Sequence, residues 1–179
     1  TYRSISEVCI RKVGASTNED GFSSGKIAAL TDRLGSVSED VIYLLPFFKP
    51  GHLDLHTGED VRKGELGSVY AAKDFFEIDP DVVSSLASVS LDHLVSSGWL
   101  HDADFDDLLD ERQRKRLRTV SELSAFSHWK ELEDWVGADT LLQLIGRAEM
   151  RALVQKAHGL GKRVIFDLVL MQTSRDCPL

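Results

Sequence analysis

The sequence has 179 residues, 42% of them apolar and 28% charged, an ordinary globular composition that can bury a sizeable core and argues against disorder. With 29 acidic against 21 basic residues the formal net charge is −8, which disfavours nucleic acid and an acidic membrane surface as partners but not a neutral sugar or other small molecule. No apolar run approaches the roughly 18 residues of a membrane span, and no charged-then-apolar leader precedes Ile5. A start at Thr1 rather than Met points to removal of something upstream. Cys9 and Cys177 lie far apart without CxxC spacing, so neither a zinc site nor a disulfide framework is indicated, and reduced thiols in a cytoplasmic protein are the expectation.

In chain order, residues 7–13 form the first strand candidate, with Val8 and Ile10 alternating against Cys9 and Arg11. Residues 25–34 follow as a helix with Ile27, Leu30 and Leu34 at helical spacing. The second strand candidate is 41–48 (VIYLLPFF) and the third 164–170 (VIFDLVL), nearly continuous apolar runs of the kind covered on both faces in a parallel sheet. Before the third strand, residues 147–158 place Met150, Leu153, Val154 and Ala157 on one helical face, and Gly159 and Gly161 stop the helix. Strands alternating with helices predict an α/β fold with right-handed crossovers, as an open doubly wound sheet or a closed barrel.

The connection after the second strand, about residues 49–146, is long. Its first part, 49–68, is rich in Gly and charge and reads as an ordered surface loop. From 79 to 145, leucine spacing and charge predict a helical insertion with helices over 82–97, 105–117, 120–135 and 140–145. No internal repeat or low-complexity tract is present.

Three blocks of residues then carry a likeness. They are the strand ending VIYLLPFF, the stretch from Gly67 through Tyr70 and Asp74 to Pro80, and the helix-strand pair EMRALVQKAHGLGKRVIFDLVLMQTSRDCPL. In order, they resemble the first three βα units of the α-amylase family (glycoside hydrolase family 13). In that family the second block reads as a Tyr, three variable residues and an Asp-Tyr pair, which Tyr70, Asp74 and Phe75 fit in spacing. The third reads Asp, three apolar residues, then Asn-His-Thr-Ser. Asp167, Leu168, Val169, Leu170, Thr173 and Ser174 fit, while Met171 and Gln172 replace the Asn and His. The resemblance implies a partial (β/α)8 TIM barrel over residues 1–179, its first three βα units interrupted by a loop and helical insertion at about 49–146.

Active sites of such barrels lie at the C-terminal ends of the strands, which is where Tyr70 and Gln172 would sit. By resemblance Tyr70 is a platform on which the CH-rich face of a sugar packs; a core tyrosine under the loop is the alternative. Gln172 would take the position from which the family's His donates to a sugar hydroxyl, and an amide can donate that bond without carrying charge. Asp167 and Asp74 are implied as support for the site. Met171 stands where many relatives have a calcium-ligating Asn, and a thioether is a poor ligand for a hard cation, so no metal is expected there. No cofactor is expected either.

Other motifs are weighed and set aside. Residues 16–21 (STNEDG) resemble a calcium loop of some family members, but Ser16 and Ser24 fill positions where carboxylates are needed, leaving a turn that caps the first helix. His52 and His56 have i, i+4 spacing, but Pro50, Gly51 and Gly58 argue against the helix that would align them on a metal. The basic run Arg112 to Arg118 follows Asp102, Asp104, Asp106, Asp107, Asp110 and Glu111, so a solvated helix with internal ion pairs is favoured over a nucleic-acid patch. Neither a Gly-rich phosphate loop nor a Gly-x-Ser-x-Gly elbow is present.

The resemblance implies retaining cleavage or transfer at α-glucosidic bonds of an α-glucan or oligosaccharide, by double displacement between two carboxylates. In the family these, with a stabilising Asp, come from strands four, five and seven. A full barrel needs about 250 residues, so they are expected beyond residue 179, and this chain alone is expected to be inactive. Met171 and Gln172 also admit a family member without catalysis that serves as a carbohydrate-binding or interaction subunit. Oligomeric state, linkage specificity and the choice between hydrolysis and transglycosylation are not encoded in any residue read here.

Overall fold

The computed structural model describes residues 4–18, 21–51, 70–170, 173–174 and 177. Its centre is a three-stranded parallel sheet, in the order β1-β4-β7, made by β1 (Ile5–Val8), β4 (Val41–Leu44) and β7 (Arg163–Phe166). The register sets Glu7 beside Tyr43 and Tyr43 beside Ile165. Two helices complete the crossovers, α1 (Ile27–Arg33) between β1 and β4 and α5 (Ala138–Gly159) before β7. The predicted α/β class with a parallel sheet is therefore what the chain forms.

Because side chains alternate along a strand, each strand has one set for each face of the sheet. Val8, Ile42, Leu44 and Val164 join one hydrophobic core with Ile27, Leu30 and Leu34 of α1 and Leu141, Leu144, Ile145, Leu153 and Ala157 of α5. Ile5, Glu7, Tyr43 and Ile165 belong to the opposite face. There Ile5 and Ile165 are 63% and 42% exposed, and just past β7 Leu168 and Leu170 are exposed too. Among the described residues helices pack on one face of the sheet only, although Val41 on the other face is buried, and β1 and β7 are the edges of the sheet.

Strands are shorter than the apolar runs. Past Val8 the chain turns into a 3-10 turn, Ile10–Lys12, rather than extending to Val13. The run 41–48 breaks at Pro46, which cannot donate to a ladder. Phe48–Pro50 (β5) then pairs antiparallel with Ala72–Ile78 (β6), a strand that sequence reading left unassigned. β7 ends at Phe166, so Asp167 to Leu170 follow the strand instead of lying in it. Lys26 occupies the N-cap of α1, and of the residues read as a capping turn those described lie in strands: Ser16–Asn18 (β2) pairs antiparallel with Gly21–Ser23 (β3). The surface loop read at 49–68 falls largely outside the described residues, as do His52 and His56.

The insertion is less helical than its leucine spacing predicts. Residues 82–97 yield the short helix α2 (Leu91–Ser96) and a 3-10 turn, Leu86–Ser88. Residues 105–117 split into α3 (Asp102–Leu108) and a 3-10 turn, Gln113–Lys115. Residues 120–135 split into a 3-10 segment, Val120–Ala125, and α4 (Trp129–Val136). The predicted helices 140–145 and 147–158, by contrast, are one continuous helix, α5, running through Gly146. A Cβ at Gly146 would lie 2.9 Å from Val83 Cγ2 and 3.2 Å from Ile78 Cδ1, so the residue marks a close helix approach, not a break. Gly137, at φ 88°, separates α4 from α5.

Two polar devices tie the insertion to α5. Gln143, buried at 5% exposure, accepts the Ile78 amide at 2.8 Å and donates to the Ile78 carbonyl at 2.9 Å, acting as one more rung on β6. Asp104 is not solvated with its acidic neighbours but buried at 1% exposure. There it meets the Arg151 fork at 2.6 and 2.8 Å, Arg147 at 3.2 Å and the His101 amide at 2.9 Å. The basic run makes ion pairs, Arg114 with Asp106 and Arg116 with Glu131, and Arg116 also lies 4.3 Å over the Phe126 ring. Among the described residues no helix is long and apolar enough to cross a membrane.

Candidate functional site

At the C-terminal edge of the parallel sheet, the face without helices gathers Tyr43, Asp167, Glu7 and Tyr70. Tyr43 is the third residue of β4 and Glu7 its neighbour on β1. Asp167, two residues past Ile165 and so on the same face, is held by its amide, which donates to the Leu44 carbonyl at 2.9 Å. The Asp167 carboxylate lies close enough to the Tyr43 hydroxyl to act on it electrostatically. Burial, then the nearby Asp167 carboxylate, raise the Tyr43 pKa above its ordinary value, so the phenol stays neutral. Burial and the charge of Asp167, with a smaller contribution from Glu7, raise Tyr70 in the same direction.

Tyr70 sits in the turn before β6, 37% exposed, and its neighbourhood includes Asp167, Glu7 and Cys9. The chain after β7 returns beside that turn: Thr173 bridges Ala72, and the Ser174 amide donates to the Ala72 carbonyl at 2.9 Å. Sequence-predicted Tyr70 and Asp167 thus come together. Asp74, on β6, instead accepts the Phe76 amide at 2.7 Å and lies opposite Lys49 on β5. Gln172 and Met171 lie outside the described residues.

The edge is stiffened from below by residues that sequence reading did not single out. Arg11 donates to Asp79 at 2.8 Å, to the Pro46 carbonyl at 2.8 Å and to the Phe48 carbonyl at 3.3 Å, fastening the turn after β1 to the end of the β5–β6 pair where Phe48 lies opposite Ile78. Asp79 also accepts the Asp81 amide at 3.0 Å and so caps the turn Pro80–Val82. Phe47 stacks on Phe48 and meets Phe166 edge-on, with ring centroids 4.7 and 5.3 Å apart. Tyr43 and Glu7 were missed as well, although a polar tip inside an otherwise apolar strand was a usable signal: one face of such a strand cannot be dry.

Chemically, the group offers two phenol rings and two carboxylates at the sheet edge. It can stack and hydrogen-bond a polyhydroxylated ring. No cluster of His, Cys, Asp and Glu fit to hold a metal ion occurs among the described residues. Cys9 and Cys177 are both free and partly buried.

No known family profile and no curated protein matches the chain. Among solved structures it is similar to an alpha-glucosyl transfer enzyme, XgtA, at 18% sequence identity and a TM-score of 0.41. That similarity covers 97% of this chain, which spans 18% of the length of that one.

Proposed function

We propose that this chain is the N-terminal part of an α-amylase-type (β/α)8 enzyme, a glycoside hydrolase or glucosyl transferase acting on α-glucosidic bonds with retention of configuration. The observation that carries the reading is that Tyr70, Asp167 and Tyr43 act on one another electrostatically at the C-terminal edge of a parallel sheet which, among the described residues, has helices on one face only. In a barrel the face without helices is the interior and that edge the active-site floor. Tyr70 then stacks on the sugar, while Asp167, its backbone held to Leu44, supports the floor. Gln172 donates to a sugar hydroxyl. The nucleophile, the acid/base and the stabilising Asp come from strands beyond residue 179.

The test is turnover of maltooligosaccharides and an aryl α-glucoside by the full-length protein, with the anomer of the first product read by NMR. Retention is expected, together with no turnover by the pure 179-residue chain; inversion, or activity of the chain alone, refutes the reading. A second reading rests on Met171 and Gln172, which depart from the family's pattern: a sugar-binding subunit without catalysis. Oligosaccharide binding by the full-length protein without any turnover is its signature.

A further inference from the structure

Away from that edge, a cavity of about 410 Å3 lies between α1, α5 and the segment 84–99 that contains α2. Its size falls within the range of about 300–1,000 Å3 typical of small-molecule sites. The floor is apolar, made by Leu94, Ile145, Ala148 and Ala152, while Asp32 and Glu149 both line it and no Lys or Arg is among its described lining residues. Glu149 accepts the Ser84 amide at 3.3 Å, and no Lys or Arg among the described residues makes an ion pair with it. The nearest attractive charge, Lys26, has its ammonium on the Asp81 carbonyl at 2.8 Å. A largely buried carboxylate in this setting lacks the counter-charge that such groups ordinarily have.

An aromatic wall completes the cavity. Trp99 meets His93 edge-on with ring centroids 5.6 Å apart. Its carbonyl is held by Arg151 at 2.8 Å and its amide by the Ser97 hydroxyl at 3.2 Å, so the ring is set before any ligand arrives. Asp32, at the rim, has its side chain 85% exposed and pairs with Lys156 at 4.0 Å, so Glu149 supplies the negative charge; that carboxylate and the aromatic wall over an apolar floor attract a cation that also has an apolar body. A bare metal ion fits poorly, since the cavity's described residues do not bring together three metal-ligating side chains.

We propose that this cavity binds a small organic ammonium compound, its cationic head between Glu149 and Trp99 and its carbon body on the Leu94–Ala148–Ala152 floor. The site is separate from the sheet edge and does not rest on the glycosidase reading. Calorimetric titration of the full-length protein with choline and with ethanolamine tests it, against dimethylbutanol, the neutral tert-butyl isostere of choline, and against glucose. At least one ammonium compound is expected to bind at least about tenfold more tightly than the neutral isostere. Glu149→Gln should abolish that preference while circular dichroism and Tm show an intact fold, because the amide keeps the Ser84 hydrogen bond and is easier to bury. Trp99→Leu should weaken binding without reversing the preference. Failure of both ammonium probes to bind at millimolar concentration, equal binding of the isostere, a preference for glucose, or unchanged affinity in Glu149→Gln overturns the proposal.

Discussion

Replacing Asp104 with Asn tests how the insertion is fastened to α5. The side chain is 2% exposed, and its two oxygens take two hydrogen bonds from Arg151, one from Arg147 and one from the His101 amide. Burial alone would raise this carboxyl, but the hydrogen bonds from Arg151, the His101 amide and Arg147 outweigh it and hold the pKa below the ordinary carboxylate value. An Asn amide keeps one acceptor and turns an NH2 toward the guanidinium groups. Breaking a buried pair by removing one partner costs about 3–5 kcal/mol. Arg147 and Arg151 are 21% and 31% exposed and can regain water, so the lower end, about 3 kcal/mol, is expected. If the loss acts locally, amides of α3 should exchange with solvent about 150-fold faster, at about 1.36 kcal/mol per decade. The sign with pH follows from the depressed pKa: Asp104 stabilises the fold above its unfolded value of about 3.9, and that contribution disappears as pH falls through the folded value. Amide exchange by mass spectrometry, at pH 7 and after acid titration, reads both effects. An acceleration below about threefold in α3 would show that the arginines hold the insertion in place without Asp104.

Gly146→Ala should lower Tm, because overpacking against Val83 and Ile78 costs about 1–3 kcal/mol and exceeds a helix-propensity gain of up to about 1 kcal/mol. Gly159→Ala, at the end of the same helix with open space at its Cβ, should be neutral or stabilising, and equal shifts from the two would refute the steric argument. Burial raises the Glu149 pKa, so the folded state holds its proton more tightly and stability declines as pH rises from the unfolded value through the folded one. Glu149→Gln should therefore raise Tm more at pH 8 than at pH 4, and a gain independent of pH would remove ionisation as the cause. In an active full-length enzyme, Tyr70→Ala should weaken sugar binding by roughly 1–3 kcal/mol through loss of stacking area, whereas unchanged KM and kcat would return Tyr70 to a structural role.

Local pattern alone determined the parallel α/β core. The run at 41–48 and the amphipathic helices around Leu30 and Leu153 join one core, because apolar periodicity records which faces must be dry, whereas of the run 164–170 only Val164 packs into it. Tyr70 and Asp167 stood out through the family resemblance, since they fall at its motif spacing next to strand ends. What only tertiary structure decided was how far each element runs and which polar groups meet. Leucine spacing at 82–135 predicted long helices, but burial of Asp104 between two arginines and the packing of Leu117 and Leu123 satisfy the same apolar residues with short turns. Gly146 looked like a break until the approach of Ile78 and Val83 showed why no Cβ fits there. Arg11 and Asp79 stand 68 residues apart, and Tyr43 and Asp167 are likewise joined only through the sheet. Periodicity encodes the direction in which a side chain points, but the partner it finds there depends on chain segments distant in sequence, and so appears only once the fold has brought them together.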